Sequence, residues 1–160
     1  GAFFSHMVVM LANALYRRGF TEEGAEAINS LYKMAIKNQA KIYPLMPEYF
    51  NNAGRGLYLY LTGSSSWYIH TLLEEILGIK FIYGDLAIEP KLLPQNFSGS
   101  SIETEFNLSG KPIKIIFTAG KEVKDVFLGK TKIPKEGTKF IIKRKMLLAA
   151  PDKTIKVSLH

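Results

Sequence analysis

The spacing of apolar residues changes once along this chain, at Gly78, and that change limits the fold more than any other feature of its 160 residues. Before Gly78 apolar positions recur at i, i+3, i+4 and i+7, the repeat of one helix face. After it, short β-rich runs alternate apolar with polar residues, the repeat of a strand. The reading is α+β, helices first and strands second, divided into residues 1–78 and 79–160. Phe4, Met7, Val8, Leu11, Ala14 and Leu15 predict the inward face of a first helix, stopped at Gly19. Thr21 is placed as the cap of a second helix, with Glu22 and Glu23 in its first turn. Ala25, Ile28, Leu31, Tyr32, Ala35 and Ile36 form its inward face. A third helix covers about 65–77. The stretch 41–60, with Pro44, Pro47, Gly54 and Gly56, reads as a long ordered loop, a feature usually tied to function. Beyond Gly78, strands are predicted at 81–83, 86–88, 101–108, 113–118, 122–128, 139–143 and 154–159. Turn signals such as Ser109-Gly110 and Glu136-Gly137 separate them, so an antiparallel β-sandwich is expected.

Composition removes several function classes. There is no cysteine, hence no disulfide framework and no thiolate chemistry, which suits a cytoplasmic location. Three scattered histidines, His6, His70 and His160, show no metal-ligand spacing, so no metal is expected. No uninterrupted apolar run reaches the roughly 18–20 residues of a membrane span. In the apolar start the charges, Arg17 and Arg18, follow the apolar part, the reverse of a signal peptide. The net charge of +7 lies mostly in the second half, with 14 basic and 8 acidic residues after position 80 against 7 and 6 before it. Those lysines are spread singly, often beside an acid, with Lys143-Arg144-Lys145 the tightest cluster. They read as a solvated sheet face and not as a nucleic-acid surface.

One segment could carry chemistry. Leu61-Thr62-Gly63-Ser64-Ser65-Ser66-Trp67 is a Thr-Gly turn followed by serines and the start of a helix. The N–H groups of a first helical turn lack partners inside the helix, and the dipole adds positive charge there, so such a start can hold an anion. Serines at a helix start also serve simply as caps. His6 is either a satisfied core histidine or a ligand. Glu48 is a surface carboxylate, a partner of Arg55, or a binder of hydroxyl groups. Trp67 reads as core.

Taken in order, Ser5-His6, Pro47-Glu48-Tyr49, Gly54-Arg55-Gly56, Thr62 to Trp67, Gly84-Asp85-Leu86 and Glu89-Pro90-Lys91-Leu92 resemble the end of the catalytic barrel of glycoside hydrolase family 94. These are inverting cellobiose-type and β-1,2-oligoglucan phosphorylases, the latter branch being the nearer. The resemblance covers residues 3–93. It implies the last helices of an (α/α)6 barrel followed by a β-sandwich. It also implies phosphate binding by His6, Thr62 and Gly63, and a sugar pocket lined by the loop that carries Glu48 and Arg55. Arg55 reaches phosphate or braces that loop. In such an enzyme phosphate attacks the anomeric carbon directly and one carboxylic acid protonates the leaving oxygen. The family's catalytic aspartate lies well upstream of the Ser-His element, whereas the first aspartate here is Asp85. The chain is therefore expected to hold no catalytic residue and to be inactive by itself. Three helices cannot close a barrel, and the chain begins inside a helix signal, so a fragment is expected. The implied partners are phosphate as substrate, a β-linked gluco-oligosaccharide and the remainder of the barrel. A homodimer is admitted, and no cofactor, nucleic acid or membrane is called for. The alternatives are a non-catalytic carbohydrate- or protein-binding module and, more distantly, a basic nucleic-acid binder.

Overall fold

The computed structural model of the chain describes residues 1–59, 63–120 and 122–159. It is α+β and divides into two compact units, Gly1–Ile76 and Leu77–His160.

In the first unit, strand β1 (Ala2–Phe4) runs directly into helix α1 (Ser5–Arg17), and α2 (Thr21–Ala35) follows. Two short strands, β2 (Tyr49–Asn51) and β3 (Gly56–Leu57), precede α3 (Gly63–His70), which continues as a π-helical segment, Thr71–Ile76. Antiparallel pairing in the order β1-β2-β3 builds a small sheet where only a helix start and a loop were predicted. Three-residue strands are too short to show a period of two. Cross-strand aromatic contact holds them, with Phe3 opposite Phe50 and Phe4 opposite Tyr49. Phe50 is fully buried with Val9, Leu31, Ala35, Ala40 and Ile42, and Trp67 and Tyr68 pack on that core.

The buried side of α1 is not the predicted one. Ser5, Val9, Ala12, Asn13 and Tyr16 face inward, while Met7 and Leu11 are 67% and 55% exposed and Phe4 lies in β1. The helix is apolar nearly all round, so its pattern admits two faces. Packing against α2 selects the one that sets the Tyr16 ring on Gly24. α2 buries Ala25, Ile28, Leu31 and Ala35 as predicted, but Tyr32 and Ile36 stay exposed. Thr21 is the first helical residue and not a cap; Phe20 stands at the cap position without a side-chain hydrogen bond.

The second unit contains β4 (Ile79–Ile82), β5 (Asp85–Ile88), β6 (Ser101–Leu108), β7 (Lys111–Thr118), β8 (Val123–Leu128), β9 (Thr131–Ile133), β10 (Lys135–Glu136), β11 (Lys139–Ile142), α4 (Arg144–Ala149) and β12 (Thr154–Leu159). One sheet has the order β10-β11-β5-β4, the other β6-β7-β12-β8-β9. The second sheet is mixed, because β12 lies parallel to β7 and antiparallel to β8. The expectation of purely antiparallel strands is corrected here. Hairpins β6–β7 and β8–β9 leave a gap that the last strand fills, and the stretch from Thr118 to Thr154 is long enough for the crossover a parallel pair needs. Alternation is clean on the buried faces, for example Ile113, Ile115 and Phe117 on β7 and Ile155, Val157 and Leu159 on β12.

Helix α4 was not predicted. The Lys143-Arg144-Lys145 cluster forms its start, fastened by Asp85. The carboxylate accepts from Arg144 N–H at 2.8 Å and from Lys143 Nζ at 3.1 Å. Those two bonds hold the Asp85 carboxyl below its ordinary range, the backbone bond contributing most.

Gly78, just inside the second unit, has φ +65°, and a Cβ there would lie 2.1 Å from the carbonyl of Glu89, whose N–H donates to Gly78 O at 2.9 Å. Gly78→Ala is expected to cost at least about 2 kcal/mol, read from urea unfolding. Burial, with the neighbouring Tyr68 second, pushes the Tyr16 hydroxyl up to about 12. The protonated form is the buried one, so its contribution is intact below pH 10 and is lost as pH rises toward 12. The urea midpoint should fall over that window, and less steeply in Tyr16→Phe.

Candidate functional site

Three segments far apart in sequence meet at the N-terminal ends of α1 and α3. The first is Ser5-His6, carried to the head of α1 by β1. The second is Pro47-Glu48-Tyr49. Its Glu48 carbonyl accepts from Ser5 N–H at 2.9 Å, and its Glu48 N–H donates to Tyr58 O at 3.0 Å. The third is Gly63-Ser64, where the buried Ser64 hydroxyl donates to Pro47 O at 3.1 Å. The 47–49 segment is therefore fixed between the two helix starts.

His6 lies over Gly63. A Cβ on Gly63 would come within 2.5 Å of His6 Cε1 and within 2.9 Å of Nε2, so only glycine leaves room for the ring. The imidazole also lies near the Trp67 ring, 6.4 Å between centroids and tilted by 44° to it. Trp67 packs on the core, as the sequence suggested. His6 Nε2 and Ser5 Oγ are both shielded from solvent and, among the described residues, without a hydrogen-bond partner. Neither α1 nor α3 has an acid in its first turn, whereas α2 has Glu22 and Glu23 there. Two helix starts free of acids, with a shielded histidine nitrogen and a serine hydroxyl beside them, form a donor-rich corner that suits an oxyanion.

The structure brings His6, Gly63 and the Glu48 backbone together. Thr62 and His160 lie outside the described residues. Glu48 has a half-buried side chain and makes no ion pair with Arg55. Arg55 is exposed in the β2–β3 turn, at the Ala2 end of the small sheet, whereas Ser5 and His6 leave from the other end. Its backbone N–H donates to Asn51 Oδ1 at 3.0 Å, so the Asn51 side chain braces the turn. His70 packs edge-on against Trp67 and lies 3.5 Å from Glu74. Among the described residues no cluster of His, Asp or Glu could hold a metal, and no helix is long and apolar enough to cross a membrane.

The sequence reading missed two parts of the site. Ser64 is the tether between α3 and the 47–49 segment, one of three adjacent serines that nothing local distinguishes. The other is a row of aromatic rings, Phe4, Tyr49 and Tyr58, beside Ser5 and Glu48. No protein-family model matches the chain, and no curated protein matches it significantly.

Gly63→Ala should push the imidazole off its seat and change its relation to Trp67. The check is the His6 Cε1–H resonance, which should shift in the variant while the thermal midpoint changes little.

Proposed function

We propose that this chain is the C-terminal portion of an inverting glycoside phosphorylase of the family 94 type. The whole enzyme cleaves β-glucosidic bonds of gluco-oligosaccharides with inorganic phosphate, giving α-glucose 1-phosphate and a shortened sugar. The observation that supports this most is the convergence at one corner of Ser5-His6, Pro47-Glu48-Tyr49 and Gly63-Ser64, three motifs on which the resemblance rests.

In this reading phosphate sits against His6, Thr62 and the N–H of Gly63. The imidazole donates a hydrogen bond, or a full charge when protonated, to a phosphate oxygen. The helix starts add partial positive charge and orient the anion toward the anomeric carbon. Phosphate is itself the nucleophile, so no general base and no cofactor are needed. The proton for the leaving oxygen comes from a carboxylic acid outside this chain. In this reading the half-buried Glu48 side chain accepts hydrogen bonds from sugar hydroxyls. Helices α1–α3 then belong to the end of an (α/α)6 barrel, and the two sheets of the second unit are its sandwich. The second apolar face of α1, with Met7, Met10 and Leu11 at 67%, 41% and 55% exposure, fits contact with further barrel helices. The location implied is cytoplasmic, without nucleic acid or membrane.

Two outcomes test the reading. The purified 160-residue chain should form no glucose 1-phosphate from β-linked gluco-oligosaccharides and phosphate; measurable product would overturn the claim that the catalytic acid lies outside this chain. In the full-length enzyme, His6→Ala and Thr62→Ala should each cost about 1–3 kcal/mol, seen as a higher phosphate KM or lower turnover with little loss of stability. Wild-type phosphate kinetics in both variants would remove the site.

A further inference from the structure

Strand β6 ends the five-stranded sheet of the second unit and is paired on one side alone, with β7. It matches β7 residue for residue, from Ser101 opposite Thr118 to Leu108 opposite Lys111, without a bulge. Its eight residues reach about 26 Å. The other strands that end a sheet are short: β1 and β9 have three residues, β4 has four, and β3 and β10 have two. Edge strands of native sheets are commonly short, or carry a lysine, a proline or a bulge that blocks further pairing. Ser101-Ile102-Glu103-Thr104-Glu105-Phe106-Asn107-Leu108 has none of these devices.

The backbone groups of β6 alternate in direction. Ser100 O accepts from Ala119 N–H at 2.8 Å, so Ile102, Thr104, Phe106 and Leu108 turn their N–H and C=O groups toward β7. Those of Ser101, Glu103, Glu105 and Asn107 point to the open side. The side chains alternate as well. Glu103 and Glu105 stand on the exposed face, and Glu103 pairs with Lys114 at 2.7 Å, whereas Glu105 has no ion pair among the described residues. Ile102 and Phe106 lie on the other face and are only half-buried, although Phe117 and Ile113 opposite them are fully buried. Phe81 of β4 meets the Phe106 ring edge-on, centroids 5.9 Å apart, and is itself 49% exposed.

We propose that β6 is a docking edge for an extended segment of a partner protein that carries Lys or Arg at alternate positions with apolar residues between them. The segment adds a sixth strand to the sheet. Its backbone pairs with the free groups of Ser101, Glu103, Glu105 and Asn107, its cations face the two glutamates, and its apolar side chains cover Ile102, Phe106 and Leu108. Charge selects this occupant over a second copy of the chain. Opposite residues of paired strands share a face. Two β6 strands paired antiparallel over most of their length therefore set a glutamate of one against a glutamate of the other, and like charges so placed are destabilising. The edge lies in the second unit and does not depend on the phosphorylase reading.

The test uses the 160-residue chain and a capped peptide of about eight alternating lysine and valine residues, followed by amide NMR and hydrogen exchange. The amides of Ser101, Glu103, Glu105 and Asn107 should gain protection on titration, while those of Ile102, Thr104 and Phe106, already bonded to β7, change little. The same peptide with glutamate in place of lysine should not bind. Glu103→Gln with Glu105→Gln should weaken the lysine peptide about fivefold, the worth of two cross-strand charge pairs. Glu105→Pro should abolish binding with little change in thermal midpoint, because that N–H has no ladder bond to lose. If the proline variant does not fold, the double glutamine variant decides. Absence of binding, or binding that leaves those four amides unprotected, overturns the docking edge. So do equal binding of the glutamate peptide and wild-type binding by the double glutamine variant. Protection of the four amides that rises with protein concentration alone identifies a second copy as the occupant and defeats the basic partner.

Discussion

The first unit depends on the way residues 47–49 are stitched between two helix starts. The Glu48 carbonyl takes the N–H of Ser5, and the Pro47 carbonyl takes the hydroxyl of Ser64. Both bonds use backbone acceptors that would otherwise need water. Both residues are fully buried, and leaving the Ser5 N–H and the Ser64 hydroxyl unpaired would cost more than the bonds themselves contribute. The stitch makes a loop rich in proline and glycine into a fixed wall. It brings His6 over Gly63 and aligns the strands that display Phe4 and Tyr49.

The wall and the core share one small sheet. Because successive residues of a strand point to opposite faces, the Phe3–Phe50 pair anchors the sheet in the hydrophobic core, and the Phe4–Tyr49 pair is displayed outward. Packing and presentation are thus coupled. A substitution that loosened Phe50 would disturb the outward row as well as the core. The same coupling runs through the glycine at position 63, whose missing side chain is the space that the imidazole occupies.

Helix α1 shows how an apolar sequence can hold more surface than its own unit buries. Its inward side, ending in Tyr16 against Gly24, includes the polar Ser5 and Asn13, and Asn13 donates to Thr71 at 3.2 Å. Its longer side chains, Met7, Met10 and Leu11, lie on the other side. Small and polar residues permit the close approach of α2 and the 71–76 segment, while the bulky apolar ones are left for another contact. In the second unit an equivalent selection is made by topology. The last strand enters between two hairpins, and its residues Ile155, Val157 and Leu159 complete a buried face that neither hairpin fills.

Periodicity by itself determined the change from helices to strands, with three helices before Gly78 and most of the strands after it, because burial of one face imposes a repeat that any local window reveals. Turn chemistry at Gly19, Ser109-Gly110 and Glu136-Gly137 set the element ends for the same local reason. Only the tertiary structure decided which face of α1 is buried, since an all-round apolar helix carries no local instruction. It alone produced β1–β3, whose strands are too short to show a period and exist through pairing across almost 50 residues of sequence. It placed Arg55 away from His6, because strand direction, and not distance along the chain, sets which end of a hairpin a residue occupies. It also made β12 parallel to β7, a choice that lies in chain routing and leaves no mark on the alternation of Thr154–Leu159.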